Sequence, residues 1–165
     1  DQQRPIMFQH NWSRSAAIER DFARLWLGWN KDARRGSFVT MQVLIVDDSP
    51  QWRVLVRSLL ERIPSLRIVG EASNGLEAIK KTTTLLPDIV LLDIEMPLLN
   101  GIEAAKRIRQ AHPESRVIFL TQEDDCDVRS EGMANGASAY VLKSTAANEL
   151  QHAIETAMLQ TACED

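Results

Sequence analysis

Three acids, a hydroxyl and an amine stand at the ends of short apolar runs: the adjacent Asp47 and Asp48, the lone Asp93, Thr121 and Lys143. The runs are Val43–Val46, Ile89–Leu92, Val117–Leu120 and Tyr140–Leu142. If these are parallel strands, all four strand ends meet at one edge of one sheet. Singly, each residue has an ordinary explanation. Asp48 can open a helix, Thr121 suits a strand, Lys143 can be a solvated lysine, and Tyr140 can pack on a helix. Joint placement is what points to chemistry. Two carboxylates about 4 Å apart repel by about 4 kcal/mol at an effective dielectric of about 20. Three would raise one another's pKa values unless a cation intervened, and Lys143 offsets one charge. A hard divalent ion with oxygen ligands solves this, and Mg²⁺ fits a site of few carboxylates and several waters. Such an ion also orients and neutralises a phosphoryl group.

The elements needed to position these residues are legible. Strand one is 42–46. Trp52, Leu55, Val56, Leu59, Leu60 and Ile63 follow at helical spacing, with Ser49 and Pro50 opening the helix and Pro64 closing it. The spacing favours core packing for Trp52 over a place at the pocket. Strand two is about 67–72, and a helix runs from Asn74-Gly75 to about Leu86, ended by Pro87. Strand three is 89–92, and a helix follows Asn100-Gly101 to near His112. Strand four is 117–120, then comes a short helix from about Asp125 to Ala134 with Asn135-Gly136 as a left-handed cap. Strand five is 139–142. The last helix buries Leu150, Ala153, Ile154 and Ala157. Five βα units imply an α/β, doubly wound, five-stranded parallel sheet. Borrowing the flavodoxin-like order 2-1-3-4-5 known for doubly wound sheets of this size makes strands one and three neighbours at the switch point, where ligands bind.

Residues 1–40 read as an extension outside the domain, and 41–165 as the domain itself. Two readings of the extension stay open. One is translation from an upstream start. The other is an amphipathic helix (Ile18, Phe22, Leu25, Trp29) plus linker that packs on the domain or on a second subunit. Residues 1–40 carry a net charge of +3 and the remainder −7, so the main domain is poorly suited to a nucleic-acid backbone. No apolar run approaches the roughly 18 residues of a membrane span. Cys126 and Cys163 form no CxxC, and free thiols suit a cytoplasmic protein.

Five stretches carry a resemblance: Ile45–Ser49, Gly70–Ala78, Pro87–Pro97 with Asn100-Gly101, Val117–Thr121, and Gly136–Lys143. Over about 41–158 the chain resembles the receiver domain of bacterial two-component response regulators, most of all those of LuxR-type transcription regulators. The resemblance implies a phosphorelay switch rather than an enzyme with a substrate pool. Asp93 would be the phosphoacceptor, taking phosphorus from a phosphohistidine on a sensor histidine kinase. Asp48, Asp93 and the backbone carbonyl of Glu95 would bind Mg²⁺, with Asp47 acting mostly through water. Lys143 and Thr121 would hold the phosphoryl oxygens. A shift of Thr121 would let Tyr140 swing inward and remodel a partner-binding face. Pro97 and Gly101 would shape the loop after Asp93.

Departures from common family forms are Gln122, expected to narrow access to the phosphoryl group, and Ser144, expected after a trans bond. Glu95 and Glu123 are expected to affect acyl-phosphate lifetime. Rival readings are weaker. A phosphohydrolase with an aspartyl nucleophile would carry D-x-D and a cap insertion, and an FMN phosphate would be repelled by the acids. A receiver that works without phosphorylation would not need the whole site. A downstream effector domain or protein, and a homodimer, are expected partners; no membrane and no direct nucleic-acid contact are expected.

Overall fold

The computed structural model describes residues 40–159. The extension, apart from Thr40, and Cys163 lie outside the described residues. Strands and helices alternate: β1 (Met41–Val46), α1 (Pro50–Leu60), β2 (Leu66–Ala72), α2 (Gly75–Leu85), β3 (Ile89–Leu92), α3 (Gly101–Ala111), β4 (Arg116–Thr121), α4 (Cys126–Ala134), β5 (Ala139–Leu142) and α5 (Ala146–Leu159). A 3-10 turn, Lys143–Thr145, joins β5 to α5. The sheet is parallel in the order β2-β1-β3-β4-β5, as expected.

Burial explains the unbroken apolar strands. All four residues of β3 are buried, because helices cover both faces of the sheet. Leu44, Val46, Val90, Leu92, Val117 and Phe119 form one layer with Ala78 of α2 and Ala104, Ala105 and Ile108 of α3. The alternate residues, such as Ile45, Leu91 and Ile118, are equally buried. Period-two alternation turns them to the opposite face. Each such side chain contributes about 1.5–3 kcal/mol by leaving water.

Side-chain caps fix where four helices begin. Ser49, Asn74, Asn100 and Asp125 accept backbone N–H bonds from Trp52, Glu77, Glu103, and Asp127 with Val128, respectively. Such caps are worth about 1 kcal/mol each. All four lie in loops leaving the carboxyl ends of strands, and Asn100 also lines the groove at that end of the sheet. The acidic run before α4 is explained this way: Asp125 is the cap.

One local feature departs from the sequence expectation, and two more had no counterpart in it. The stripe that began at Trp52 does not stay helical to Ile63: α1 stops at Leu60, and Ile63 sits in the following turn. Leu55 on that stripe is largely exposed. The β1–β2 register slips between Val43 and Leu44, so Val69 is an extra residue in the edge strand. Leu98 adopts a left-handed φ of 70° in the β3–α3 loop and is 80% exposed. Gly136 has φ +89°, the left-handed position expected after α4. No cis peptide bond occurs among the described residues, in keeping with a trans bond before Ser144.

Candidate functional site

β1 and β3 are hydrogen-bonded neighbours, with Val46 opposite Leu92. The next residues, Asp47 and Asp93, therefore leave the sheet side by side. Their carboxylates and that of Asp48 place oxygen atoms within 4.8 Å of one another. Asp47 and Asp93 are buried and Asp48 is exposed. This is a hard-oxygen donor set that fits a divalent cation.

Lys143 reaches the same point from the end of β5. Its Nζ lies 2.7 Å from Asp47 Oδ2 and 2.7 Å from Asp93 Oδ2. The other oxygens of these acids are also held. Ile94 N–H donates to Asp93 Oδ1 at 2.8 Å, and Ser49 N–H donates to Asp47 Oδ1 at 2.9 Å. Burial pushes the Asp47 carboxyl above its ordinary range, and the Lys143 bond only partly offsets this. Burial opposes the Lys143 charge, but bonds to Asp47 and Asp93 outweigh it and raise its pKa. One ammonium thus serves two buried acids, and the pocket remains short of positive charge.

Thr121 ends β4, fully buried. Its hydroxyl accepts from Glu123 N–H at 3.2 Å, which leaves its own proton available as a donor. Tyr140 is packed inward already: it is 9% exposed, its hydroxyl donates to the Glu123 carbonyl, and its ring meets Phe119 edge-on at 6.1 Å. Burial first, then Glu123, raises its pKa.

Gly101 opens α3 against the back of the site. Its N–H donates to Ile94 O, and a Cβ there would stand 2.0 Å from the Asp93 carbonyl oxygen. Pro97 is exposed on the loop, and its carbonyl accepts from Leu99 N–H at 2.8 Å. Beside the acids lies an open groove of about 610 Å³, lined in part by Asp48, Glu95, Met96, Pro97 and Glu123. Gln122 is exposed and is not among its lining residues.

Two residues beside the site were not assigned to it from the sequence. Trp52 stands at the pocket, not in the core: Lys143 Nζ lies 5.2 Å from its ring centroid. Arg53 donates to the Asp47 carbonyl at 2.7 Å and to Glu71 at 3.0 Å, tethering the β1–α1 loop. Their place in the first turn after the Asp47-Asp48 pair was the available signal.

A doubly wound sheet with clustered acids and a lysine at its switch point defines a class of phosphoryl- and cation-handling α/β domains. The three-residue β1–α1 connection leaves no room there for the cap insertion of a phosphohydrolase. The family model described as response regulator receiver domain matches residues 43–155. The chain belongs to this family, whose general function is two-component phosphorelay signalling.

Among curated relatives, the protein-glutamate methylesterase/protein-glutamine glutaminase of Thermotoga maritima is 40% identical over 105 residues, covering 62% of this chain and 30% of that protein. Transcriptional regulatory protein LnrK of Bacillus subtilis is 38% identical over 116 residues, covering 70% of this chain and 53% of that protein. The chain thus spans about half or less of the length of these relatives. Among solved structures, a LuxR-family response regulator from Aurantimonas sp. SI85-9A1 superposes with a TM-score of 0.70 at 36% identity, covering 73% of this chain and 86% of that one. The CheX-CheY-BeF3-Mg complex from Borrelia burgdorferi gives 0.68 at 25% identity, covering 72% and 89%.

Proposed function

We propose that Asp93 is the phosphoacceptor of a Mg²⁺-dependent receiver that a sensor histidine kinase phosphorylates. The observation that carries this reading is the convergence of Asp47, Asp48, Asp93 and Lys143 at one end of the sheet. Asp47, Asp48 and Asp93 would hold the cation, together with the Glu95 backbone carbonyl. When bound, Mg²⁺ supplies charge neutralisation for the acids and the transferring phosphoryl group.

The chain's own groups do the rest. A carboxylate oxygen of Asp93 forms a bond to phosphorus while the P–N bond of phosphohistidine breaks. The electron pair of that bond goes to the imidazole nitrogen. The ring, already protonated on its other nitrogen, leaves neutral. Lys143 turns from the Asp93 oxygen to a phosphoryl oxygen, and the Thr121 hydroxyl donates to another. Tyr140 and Thr121 both contact Glu123, which gives a path from the phosphoryl group to the face of α4, β5 and α5.

Phosphorylation is expected to change how that face binds a downstream effector domain or protein, or a second copy. Transcription regulation fits the LuxR-family and LnrK relatives. The domain acts as a cytoplasmic switch, with residues 1–40 as an extension outside it. Among the described residues, no helix is long and apolar enough to cross a membrane.

The test is labelling by a phosphodonor with Mg²⁺. The chain is expected to take one phosphoryl group, and Asp93→Asn to take none. Robust labelling of D93N sinks the assignment.

A further inference from the structure

An ammonium has three N–H donors and no acceptor. Two donors of Lys143 are accounted for by Asp47 Oδ2 and Asp93 Oδ2. Among the described residues, the next neighbour of the ammonium is a ring. Trp52 lies in the first turn of α1, its N–H donating to the Ser49 cap at 3.4 Å, and its indole face stands 5.2 Å from Nζ. That separation is within the roughly 6 Å over which a cation is drawn to an aromatic face, and tryptophan is the strongest of the aromatic partners. The Lys143 side chain is nearly inaccessible to water, so the attraction is little screened.

We propose that Trp52 is a positioning residue that holds Lys143 over the acids and lets it travel from Asp93 to the incoming phosphoryl group. This inference rests on the reading of Asp93 as phosphoacceptor. The chemistry favours a ring over other partners. A fourth carboxylate would deepen the repulsion among Asp47, Asp48 and Asp93. An amide or hydroxyl oxygen would tie the ammonium to one direction. A π face adds no net charge and tolerates displacement, because the attraction is spread over the ring. The ammonium can then exchange one oxygen partner without losing its third contact. Trp52 also lies in the first turn of the helix that follows the Asp47–Ser49 loop, so the ring and the Asp47 partner of Lys143 are held by neighbouring stretches of chain.

The experiment compares the full chain with W52F and W52L. Three quantities are read: the rate of labelling by phosphoramidate with Mg²⁺, the urea midpoint, and tryptophan emission on adding beryllofluoride with Mg²⁺. Labelling is expected to slow about threefold in W52F and about tenfold in W52L, following the weakening and loss of the ring quadrupole. Emission of the unaltered chain should change on beryllofluoride binding. W52F, which retains Trp12, Trp26 and Trp29, should show no such change. Wild-type labelling in W52L overturns the inference and leaves the phosphoacceptor reading standing. So does a rate loss that merely parallels the loss of urea midpoint in both variants. Should W52L fail to fold, W52F and the emission change decide. An unaltered chain that takes no label overturns the phosphoacceptor reading, and this inference with it.

Discussion

Two clusters of charge lie at the same end of the sheet, and their balance differs. At the edge strand, Glu71 is paired with both Arg53 and Arg57, and Glu77 with Lys81. Burial works against the Glu71 charge, but the two arginines outweigh it and lower its pKa. The Glu77 carboxyl is held down to about 2 by Lys81 and by the Ser73 N–H. In the central pocket the count is reversed: three carboxylates stand together, one ammonium bonds two of them, and burial leaves the Asp47 carboxyl raised. The edge cluster is satisfied as it stands. The central one gains most from a further cation. Imbalance, more than burial alone, separates the pocket from an ordinary network of ion pairs.

Lys143→Met should upset the balance between the two clusters most. It leaves two buried carboxylates without their cation and should cost about 3 kcal/mol in urea unfolding without metal. Mg²⁺ should restore part of that loss by binding the folded state. An unchanged midpoint without Mg²⁺ would mean the pocket is not short of positive charge. Gly101→Ala should cost about 2 kcal/mol, because its Cβ would collide with the Asp93 carbonyl. It should also weaken Mg²⁺ binding measured by titration, since Gly101 N–H bonds the Ile94 carbonyl next to Asp93.

The edge cluster should respond less. Glu77 has a folded pKa of about 2 against an ordinary 4.5, so the unfolded chain takes the proton first. Its stabilisation is full above about pH 4.5 and is lost as pH falls toward 2. Partial exposure limits the effect to about 1 kcal/mol. Urea midpoints across that pH window should fall less steeply in Glu77→Gln than in the parent chain. Glu71→Gln is the smallest change, at most about 1 kcal/mol at neutral pH. Through Arg53 it should still loosen the Asp47 loop, read as slightly weaker Mg²⁺ binding.

The pattern of what was legible has physical causes. Asp47, Asp93, Thr121 and Lys143 could be placed from sequence because each ends an apolar run. In a parallel sheet all strands finish on the same side, so strand ends converge whatever the helices do. Gly136 was legible because an Asn-Gly pair after a helix announces a left-handed residue. Trp52 was misplaced for the opposite reason. Helical periodicity says which residues share a face, but not which part of that face reaches past the end of the sheet. Leu98 carried no warning either, since its left-handed backbone is imposed by a loop that must reconnect Asp93 to Gly101.

The five βα units, the parallel strand ends and the acids that meet there follow from local pattern alone, because periodicity, caps and turn residues act within a few residues of chain. How charge is shared among those acids is settled by long-range packing. Lys143 and Asp93 are fifty residues apart, and Trp52 meets Lys143 from another helix. Which buried oxygen receives the ammonium, and which ring lies behind it, depends on how α1 and β5 pack across the sheet, and no local signal encodes that.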